Sequence, residues 1–351
     1  MAKPFIIEGK AFSKPELEIF CKKKIADQQV EEWEKECYTF ILDWLSPIST
    51  IHVQTSGSTG KPKKLFLEKK YMEASAMATI DFFKLKPGDS ALLCLPVKYI
   101  AGKMMIVRAL VGGLNLLFTK PSSNFEINDF QKIDFCAMVP NQVAAFLDTI
   151  KGVEQLQRIK NLIIGGSFLP KDIESKINNL KTEVWQTYGM TETITHIALR
   201  KISGNAEEMY TPLKNVKVWT DDHSRLVIDA EKIGVKQLVT NDLAEMGEKG
   251  KFKILGRKDN VVISGGVKFF PEEIEKKLSG FIENDFYISS LPDEKLGRKL
   301  VLYIEDDGNL ENQVNQLWEK INARLSGFEI PKEIFFCKSF SRTVSGKIMR
   351  E

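Results

Sequence analysis

A nine-residue segment near the start of the chain combines the groups that bind polyphosphates. It consists of Thr55, Ser56, Gly57, Ser58, Thr59, Gly60, Lys61, Pro62 and Lys63. Glycines let backbone N–H groups converge on an anion, and the hydroxyl and ammonium groups add donors and positive charge. A solvated hairpin turn has the same composition, so both interpretations are open at this point. A Walker A loop is excluded, because only two residues separate the two glycines.

Four later segments also concentrate glycine, hydroxyl and charged residues. They are Gly165–Ser167, Tyr188–Glu192, Gly256–Gly266 and Ser341–Lys347. Each has an ordinary structural interpretation when taken alone. Tyr188 fits a core aromatic, Glu192 fits an acid favoured in the first turn of a helix, and Lys347 fits a solvated cation near a chain end.

The elements that must position these segments alternate between short apolar strands and helices. A strand over 50–54 enters the glycine-rich loop, and residues 65–67 leave it as a second strand. Further apolar strands are predicted at 91–95, 114–118, 135–139, 162–164 and 184–187, with helices at 71–84 and 100–110 among those between them. This alternation predicts an α/β fold whose ligands lie at the carboxyl ends of the strands.

Beyond residue 189 the pattern changes to strands joined by turns, which indicates a different architecture. We place a domain boundary at residue 256. Residues 1–256 form the larger α/β domain, and residues 257–351 form a small α+β domain with a helix over 271–278. A chain of 351 residues exceeds what one hydrophobic core usually supports, which agrees with two domains.

Composition argues against several classes of protein. Fifty basic and 47 acidic residues give a formal charge of +3, too balanced for a nucleic-acid-binding protein. The five cysteines are scattered without a C-x-x-C pair, which favours a reducing, cytoplasmic location. We find no signal peptide and predict no membrane span, since Arg108, two glycines and Asn115 interrupt the apolar region 104–118. Composition leaves the oligomeric state open between monomer and homodimer.

The motifs, in their order along the chain, resemble those of the adenylate-forming superfamily, which includes acyl-CoA synthetases, luciferases and peptide-synthetase adenylation domains. They are TSGSTGKPK, YGMTE, GRKDN followed by SGG and PEEIE, and SRTVSGK. The resemblance extends from Gln54 to Lys347. It implies a large N-terminal adenylate-forming domain, a small C-terminal domain on a hinge, and the substrates ATP and CoA with Mg²⁺. Because the glycine-rich segment begins at residue 55, it also implies a shortened N-terminal subdomain.

The resemblance assigns roles to individual residues. Thr55–Lys63 would hold the β- and γ-phosphates of ATP, while Gly165, Gly166, Ser167, Tyr188 and Gly189 would surround the adenine. Thr191 would donate to the α-phosphate, Glu192 would ligate Mg²⁺, and Asp242 and Arg257 would bind the ribose. Lys347 would be the catalytic lysine, Asp259 the hinge, and Ser264, Gly265 and Gly266 would line the path of CoA. Asn241 and Ser341 depart from the superfamily pattern, which usually has Gly and Pro there.

Two segments, 95–103 and 188–198, most resemble the o-succinylbenzoate–CoA ligases of menaquinone biosynthesis. This implies an aromatic keto acid as the substrate. Its second carboxylate would need a cation or hydrogen-bond donors, and the candidates are Lys103, Thr195 and His196. The alternatives are a general acyl- or aryl-CoA synthetase, a stand-alone adenylation domain that loads a carrier protein, and a non-catalytic nucleotide-binding module.

Overall fold

The computed structural model describes residues 4–54, 64–127, 132–167, 169–306, 308, 314–342 and 348–350. The helices in these ranges are α1 (Lys14–Ala26), α2 (Glu32–Leu45), α3 (Lys69–Phe83), α4 (Ile100–Gly112), α5 (Pro140–Leu147), α6 (Ile150–Leu156), α7 (Lys171–Ile177), α8 (Pro271–Leu278) and α9 (Val314–Arg324). The strands of the large α/β part are β1 (Phe5–Ile7), β2 (Lys10–Phe12), β3 (Thr50–Gln54), β4 (Lys64–Glu68), β5 (Ser90–Leu93), β6 (Asn115–Phe118), β7 (Ile133–Met138), β8 (Ile159–Ile164), β9 (Glu183–Gly189), β10 (His196–Lys201) and β11 (Thr211–Pro212).

The later strands form smaller sheets. They are β12 (Lys217–Thr220), β13 (Arg225–Ala230), β14 (Val235–Met246), β15 (Phe252–Arg257), β16 (Val262–Ser264), β17 (Val267–Phe269), β18 (Phe286–Asp293), β19 (Gly297–Glu305) and β20 (Glu333–Cys337). Strands β12 to β15 form an antiparallel sheet in chain order, β16 pairs with β17, and β18, β19 and β20 form a third sheet.

A nine-stranded sheet forms the centre of the molecule, in the order β11-β10-β9-β8-β7-β5-β6-β1-β2. Its six middle strands, from β9 to β1, are parallel, and antiparallel strands close both edges. The predicted α/β class is therefore confirmed. Because the parallel strands are covered by helices, they read as apolar runs without alternation.

The chain reverses its direction across the sheet between β5 and β7. It passes from β5 through α4 to β6 on one side, and from β7 through α5 and α6 to β8 on the other. Right-handed crossovers in opposite directions place α4 and α5 on opposite faces, which opens a crevice at the carboxyl ends of β5 and β7. Gln142 fixes this crevice, because its amide donates to the carbonyls of Cys94 (3.0 Å) and Ser122 (2.9 Å).

Local sequence accounts for the start and end of several helices. The Glu16 carboxylate accepts from the backbone N–H of Ser13 (2.8 Å) and from its hydroxyl, which caps α1 as the S-x-x-E pattern predicts. Helix α4 is capped at its C-terminus by Gly113, whose φ of 68° lies in the left-handed region that glycine tolerates. The apolar stripe of α2 is buried, as its helical spacing predicts.

Separate apolar cores support the three parts of the chain. The largest joins the parallel sheet and its helices, a second packs around Phe252 in the β12–β15 sheet, and a third lies within residues 262–325. The last two cores lie on either side of residue 256. The domain boundary itself stays a prediction, since the parts also touch: Lys253 pairs with Glu273 (2.9 Å), and the Lys171 N–H donates to Ser279 (3.2 Å).

Among the described residues, no helix is both long enough and apolar enough to cross a membrane. The five cysteines are all described, and all are free thiols. Cys94 directly follows β5 and Cys136 lies on β7, and their sulfur atoms are 3.8 Å apart.

Candidate active site

Two glycines follow β8 at the carboxyl edge of the sheet, as the sequence predicts. A Cβ added to Gly165 would lie 2.2 Å from the Thr187 hydroxyl of the neighbouring strand, so only glycine fits there. Gly166 has a φ of 95°, which a side chain would also disfavour. Gly166 and Ser167 are exposed, so this turn presents open backbone at the edge where ligands of such sheets bind.

Tyr188 lies at the end of β9 and is tied to the second sheet. Its hydroxyl donates to the carboxylate of Asp242 (2.7 Å), and its ring packs edge-on against Phe252. Burial, followed by the charge of Asp242, raises the pKa of the Tyr188 phenol, so it stays protonated and acts as a donor. Asp242 also lies 3.5 Å from Arg257, which is its register partner on β15. The sequence prediction that Tyr188, Asp242 and Arg257 share one site therefore has a geometric basis.

The predicted hinge residue is connected to the same group. Asp259 accepts a hydrogen bond from the Asn241 side chain (3.1 Å), and Arg257 lies 3.9 Å from its carboxylate. Asn241 is one of the two positions that depart from the superfamily pattern. Its amide here links strand β14 to the short turn that enters the small domain, a contact that glycine would lack.

A 3-10 turn after β9 carries the predicted catalytic threonine and metal ligand. Thr191, Glu192 and Thr193 form this turn, and the Thr193 hydroxyl holds it by bonding to the backbone of Met190 and Thr195. Glu192 is exposed and Thr193 is buried. The turn thus fixes its backbone through Thr193 and leaves the carboxylate of Glu192 open to a ligand.

A buried polar cluster lies beside this turn, formed by Thr79, Arg108, Thr195 and His196. Arg108 on α4 donates to Thr79 on α3 and to Thr195, both at 3.2 Å. His196 completes the cluster, with its Nε2 3.2 Å from the Thr79 hydroxyl and its Nδ1 3.4 Å from that of Thr195. Because His196 pairs in register with Gly189, the cluster adjoins the carboxyl end of β9.

Arg108 carries a deeply buried positive charge. Only 1% of its surface is exposed, and no carboxylate in the described part of the chain forms an ion pair with it. Burial lowers the pKa of its guanidinium to about 9. Buried charges in proteins are normally paired, so an arginine in this state is a candidate ligand for an anion. Sequence analysis missed this residue, although an arginine inside an otherwise apolar helix was the available signal.

Backbone strain turns Thr195 and His196 toward the arginine. Ile194 has φ 66° and ψ −58°, and it is buried. Positive φ is uncommon for a β-branched residue, and such outliers concentrate at functional sites. The reversal at Ile194 ends the 3-10 turn and starts β10, so that two successive residues reach the cluster.

Lys103 lies elsewhere. Its ammonium sits 4.5 Å from the centre of the Phe40 ring on α2, and burial lowers its pKa. The structure therefore brings Thr195 and His196 together with Arg108 and separates them from Lys103, whose proposed role stays a prediction. A cavity of about 320 Å³ between α3 and the second sheet borders His196, with Ala74, Ala78 and Val216 among its other lining residues.

Several predicted residues cannot be placed in this geometry. Thr55, Ser56, Gly57, Ser58, Thr59, Gly60, Lys61 and Lys63 lie outside the described residues, as does Lys347. The strands β3 and β4 flank the glycine-rich segment, as the sequence predicts. They pair antiparallel, in register from Gln54–Lys64 to Thr50–Glu68. In the small domain, Gly265 and Gly266 form the turn between β16 and β17, with φ of 57° and 81°. The role of Ser264, Gly265 and Gly266 in lining the path of CoA stays a prediction.

His196 gives a prediction on stability. Burial, followed by the charge of Arg108, holds the pKa of this imidazole well below its ordinary 6.5. Below pH 6.5 the imidazole binds a proton in the unfolded chain but stays neutral in the folded protein. The free energy of unfolding therefore falls as the pH falls. We expect this residue to reduce the free energy of unfolding by up to about 1.4 kcal/mol per pH unit between about pH 6.5 and the lowered pKa.

Urea unfolding at neutral and mildly acidic pH measures this effect. His196→Gln keeps hydrogen-bonding groups near Thr79 but removes the titration, so its loss of stability on acidification is expected to be smaller than that of the parent. His223→Gln, at an exposed turn, is the control and is expected to behave like the parent. An identical pH dependence in His196→Gln would contradict the prediction.

The family of AMP-binding enzymes matches residues 14–234 of this chain. A solved acyl-CoA synthetase (AMP-forming)/AMP-acid ligase II-like protein from Dyadobacter fermentans is 35% identical, covering 94% of this chain and 95% of that one, with a TM-score of 0.65. The chain therefore belongs to the AMP-binding enzyme family. The protein is accordingly an enzyme of an AMP-binding family.

More distant relatives are named for one specific reaction. A 2-succinylbenzoate–CoA ligase of Listeria monocytogenes is 24% identical over 321 residues, covering 84% of this chain and 68% of the relative. The o-succinylbenzoate coenzyme A synthetase of Bacillus subtilis, solved in complex with ATP and magnesium ion, is 20% identical, covering 85% and 68% of the two chains, with a TM-score of 0.68. At this identity the structural likeness establishes the fold, which has a large N-terminal and a small C-terminal domain.

Proposed function

We propose that this protein activates a carboxylic acid with ATP and transfers the acyl group to CoA, and that the acid is o-succinylbenzoate. The carboxylate oxygen attacks the α-phosphorus of ATP, and the bond to pyrophosphate breaks to leave an acyl-AMP. The thiol of CoA then attacks the acyl carbon, the bond to AMP breaks, and the thiol proton passes to solvent. Family membership supports the nucleotide step, and the names of the relatives support the acid and the thiol.

The residues at the strand ends suit ATP. In this proposal, the turn at Gly165 and Gly166 gives the adenine close access to the backbone, since Gly166 is exposed and carries no side chain. Tyr188 supports the purine, and Asp242 with Arg257 binds the ribose hydroxyls. The hydrogen bond from Tyr188 to Asp242 joins the two subsites, so that base and sugar are fixed together.

The 3-10 turn suits the phosphates and a magnesium ion. Mg²⁺ prefers oxygen ligands, and the open carboxylate of Glu192 next to the Thr191 hydroxyl provides such a donor set. When bound, the ion would neutralise charge on the phosphates. Thr55–Lys63 and Lys347 complete the proposed site. Lys347 would supply positive charge near the α-phosphate, and Asp259 would be the hinge about which the small domain turns.

The burial of Arg108, unpaired among the described residues, is the observation that supports a substrate with two carboxylates. A buried guanidinium with no acidic partner in the described chain lies beside the strand end where the acid would react. We propose that Arg108 receives the second carboxylate, with Thr195 and His196 holding the guanidinium in place. Sequence analysis named Lys103, Thr195 and His196 as the candidates for this role and did not include Arg108. An acid with one carboxylate would leave the charge of Arg108 uncompensated. A general acyl-CoA synthetase, whose substrates have one carboxylate, does not require a buried cation at this position. The free thiols support action in the cytoplasm.

The test supplies the protein with ATP, Mg²⁺, CoA and o-succinylbenzoate and follows pyrophosphate and thioester. The matched control acid is 4-oxo-4-phenylbutanoate, which has the same keto-acid arm and lacks the ring carboxylate. Hydrogen bonds to a charged group contribute about 1.5–3 kcal/mol, so we expect kcat/KM for the control acid to be about 100-fold lower.

Other outcomes would select other functions. Equal use of both acids would contradict the role of Arg108 and favour a general acyl- or aryl-CoA synthetase. Acyl-AMP formed without transfer to free CoA would favour an adenylation domain that loads a carrier protein. ATP binding without pyrophosphate release, for a panel of acids, would favour a nucleotide-binding module.

A further inference from the structure

The last described residues of the chain are attached to helix α8 by Arg350. Its guanidinium donates to the Glu275 carboxylate (2.7 Å) and to the carbonyl of Ile288 on β18 (3.2 Å). Glu275 in turn accepts from the Ile288 N–H (2.7 Å) with its other oxygen. One ion pair thus joins the chain end, α8 and β18, and it is shielded, since only 14% of the Glu275 side chain and 25% of the Arg350 side chain are exposed.

The same guanidinium approaches the residues that follow the hinge. Arg350 lies 3.8 Å from Glu272, one turn before Glu275 on α8, and Glu272 accepts a hydrogen bond from Asn260. The second oxygen of Glu272 is buried against Gly256, where a Cβ would lie 2.5 Å from it. Because Asn260 directly follows Asp259, the network connects the chain end to the turn that enters the small domain.

A second set of contacts holds the other side of the terminal segment. Arg342 pairs with Asp285 (2.7 Å) and Glu305 (2.6 Å). Arg342 and Ile348 form an isolated antiparallel bridge, and the Met349 N–H donates to the carbonyl of Ser341 (2.8 Å). The described residues on either side of segment 343–347 are therefore both attached to the small domain, at Arg342 and at Ile348, and Arg350 fixes the second attachment.

We propose that Arg350 is a positioning residue for acyl-AMP formation, because it fixes residues 348–350, which directly follow Lys347 in the sequence. This inference rests on the proposed function and on the role of Lys347 in it. A lysine on a flexible side chain must hold its ammonium within about 0.5 Å of the position from which it stabilises the developing charge. The attachments of Arg342 and Arg350 fix the described backbone before and after Lys347 in the sequence, whereas in the proposed function transfer to CoA makes no use of that lysine. Arg350 therefore serves the first half-reaction and leaves the second unaffected.

The experiment measures the two half-reactions separately in the full-length protein. Acyl-AMP formation is followed as pyrophosphate release without CoA, and transfer is followed from synthetic acyl-AMP with CoA. A misplacement of about 1 Å can cost about 100-fold in rate, so we expect Arg350→Ala to slow the first step by about that factor. We expect its rate of transfer to stay within about 3-fold of the parent.

Two milder variants keep the test valid if Arg350→Ala folds poorly. Glu275→Gln still accepts from Ile288 but loses the ion pair, and we expect a loss of about 10-fold confined to acyl-AMP formation. Arg350→Lys retains the charge and is expected to recover part of that rate. The matched control is Lys277→Ala, which removes an ion pair with Glu329 from the exposed face of the same helix. It is expected to leave both steps unchanged.

Lys347→Ala separates failure of this inference from failure of the proposed function. If that variant loses acyl-AMP formation while Arg350→Ala and Glu275→Gln do not, Arg350 has no positioning role. If the Arg350 and Glu275 variants slow both half-reactions in parallel, their role is general stability and the inference is wrong. If Lys347→Ala itself forms acyl-AMP at the parental rate, the proposed function of the lysine fails first.

Discussion

Lys347→Ala is expected to lower the rate of acyl-AMP formation by about 100- to 1,000-fold. The transition state at the α-phosphorus gathers negative charge, and a positioned ammonium stabilises it more than it stabilises bound ATP. ATP affinity is therefore expected to change by less than about 3-fold, since most of the residues proposed to contact ATP lie within residues 1–256. Pyrophosphate release without CoA measures the first quantity, and calorimetric titration with ATP measures the second.

The control for this variant is Lys338→Ala, an exposed lysine that follows β20 in the same small domain. It removes the same charge from the chain without touching the proposed chemistry. Transfer from supplied acyl-AMP to CoA is expected to survive in both variants. A Lys347→Ala protein that forms acyl-AMP as fast as Lys338→Ala would remove the lysine from the mechanism.

Arg108→Met is expected to impair recognition of o-succinylbenzoate without destabilising the fold. Loss of a charged contact to the second carboxylate lowers kcat/KM by about 100-fold, from the 1.5–3 kcal/mol that such hydrogen bonds contribute. The free energy of unfolding is expected to stay equal or to rise, because the change removes a buried charge that has no counter-ion in the described chain. Activity toward 4-oxo-4-phenylbutanoate, which lacks that carboxylate, is expected to change little.

A second buried arginine provides the matched control. Arg200 is 6% exposed, but unlike Arg108 it pairs with Glu174 and bonds to Gln186. Arg200→Met leaves the carboxylate of Glu174 without its partner, so we expect a destabilisation of about 3–5 kcal/mol. Denaturant unfolding of both variants gives the comparison. If Arg108→Met is destabilised as strongly as Arg200→Met and uses both acids as the parent does, Arg108 is a structural residue.

The sequence determined the local elements and the order of the motifs. The S-x-x-E pattern at Ser13 predicts the start of α1, and apolar runs predict five of the six parallel strands, all except β1, close to their observed positions. These features depend on neighbours within a few residues, which is why a sequence displays them directly. The large parallel sheet and the small α+β part followed from the same patterns, and the fold confirms them.

The glycines of the site were also predictable, for a local reason. Gly165 directly follows an apolar strand, and Gly166 needs a positive φ, which glycine adopts at little cost. The β16–β17 turn at Gly265 and Gly266 belongs to the same class. By contrast, the three-residue strands β1 and β2 were not predicted, because so short a segment becomes a strand only when the existing edge at β6 pairs with it.

Tertiary structure alone decided which distant residues meet. Arg108 meets Thr195 across 87 positions of sequence, and Thr79 meets His196 across 117. The local signal, an arginine within an apolar helix, did not show that Arg108 rather than Lys103 would reach this cluster. Arg350 reaches Glu275 in the same way, 75 positions away. Residue types and their spacing show which chemical groups the chain contains. Which charges end up buried, paired or unpaired depends on how helices pack on a sheet, and that packing exists only in the folded molecule.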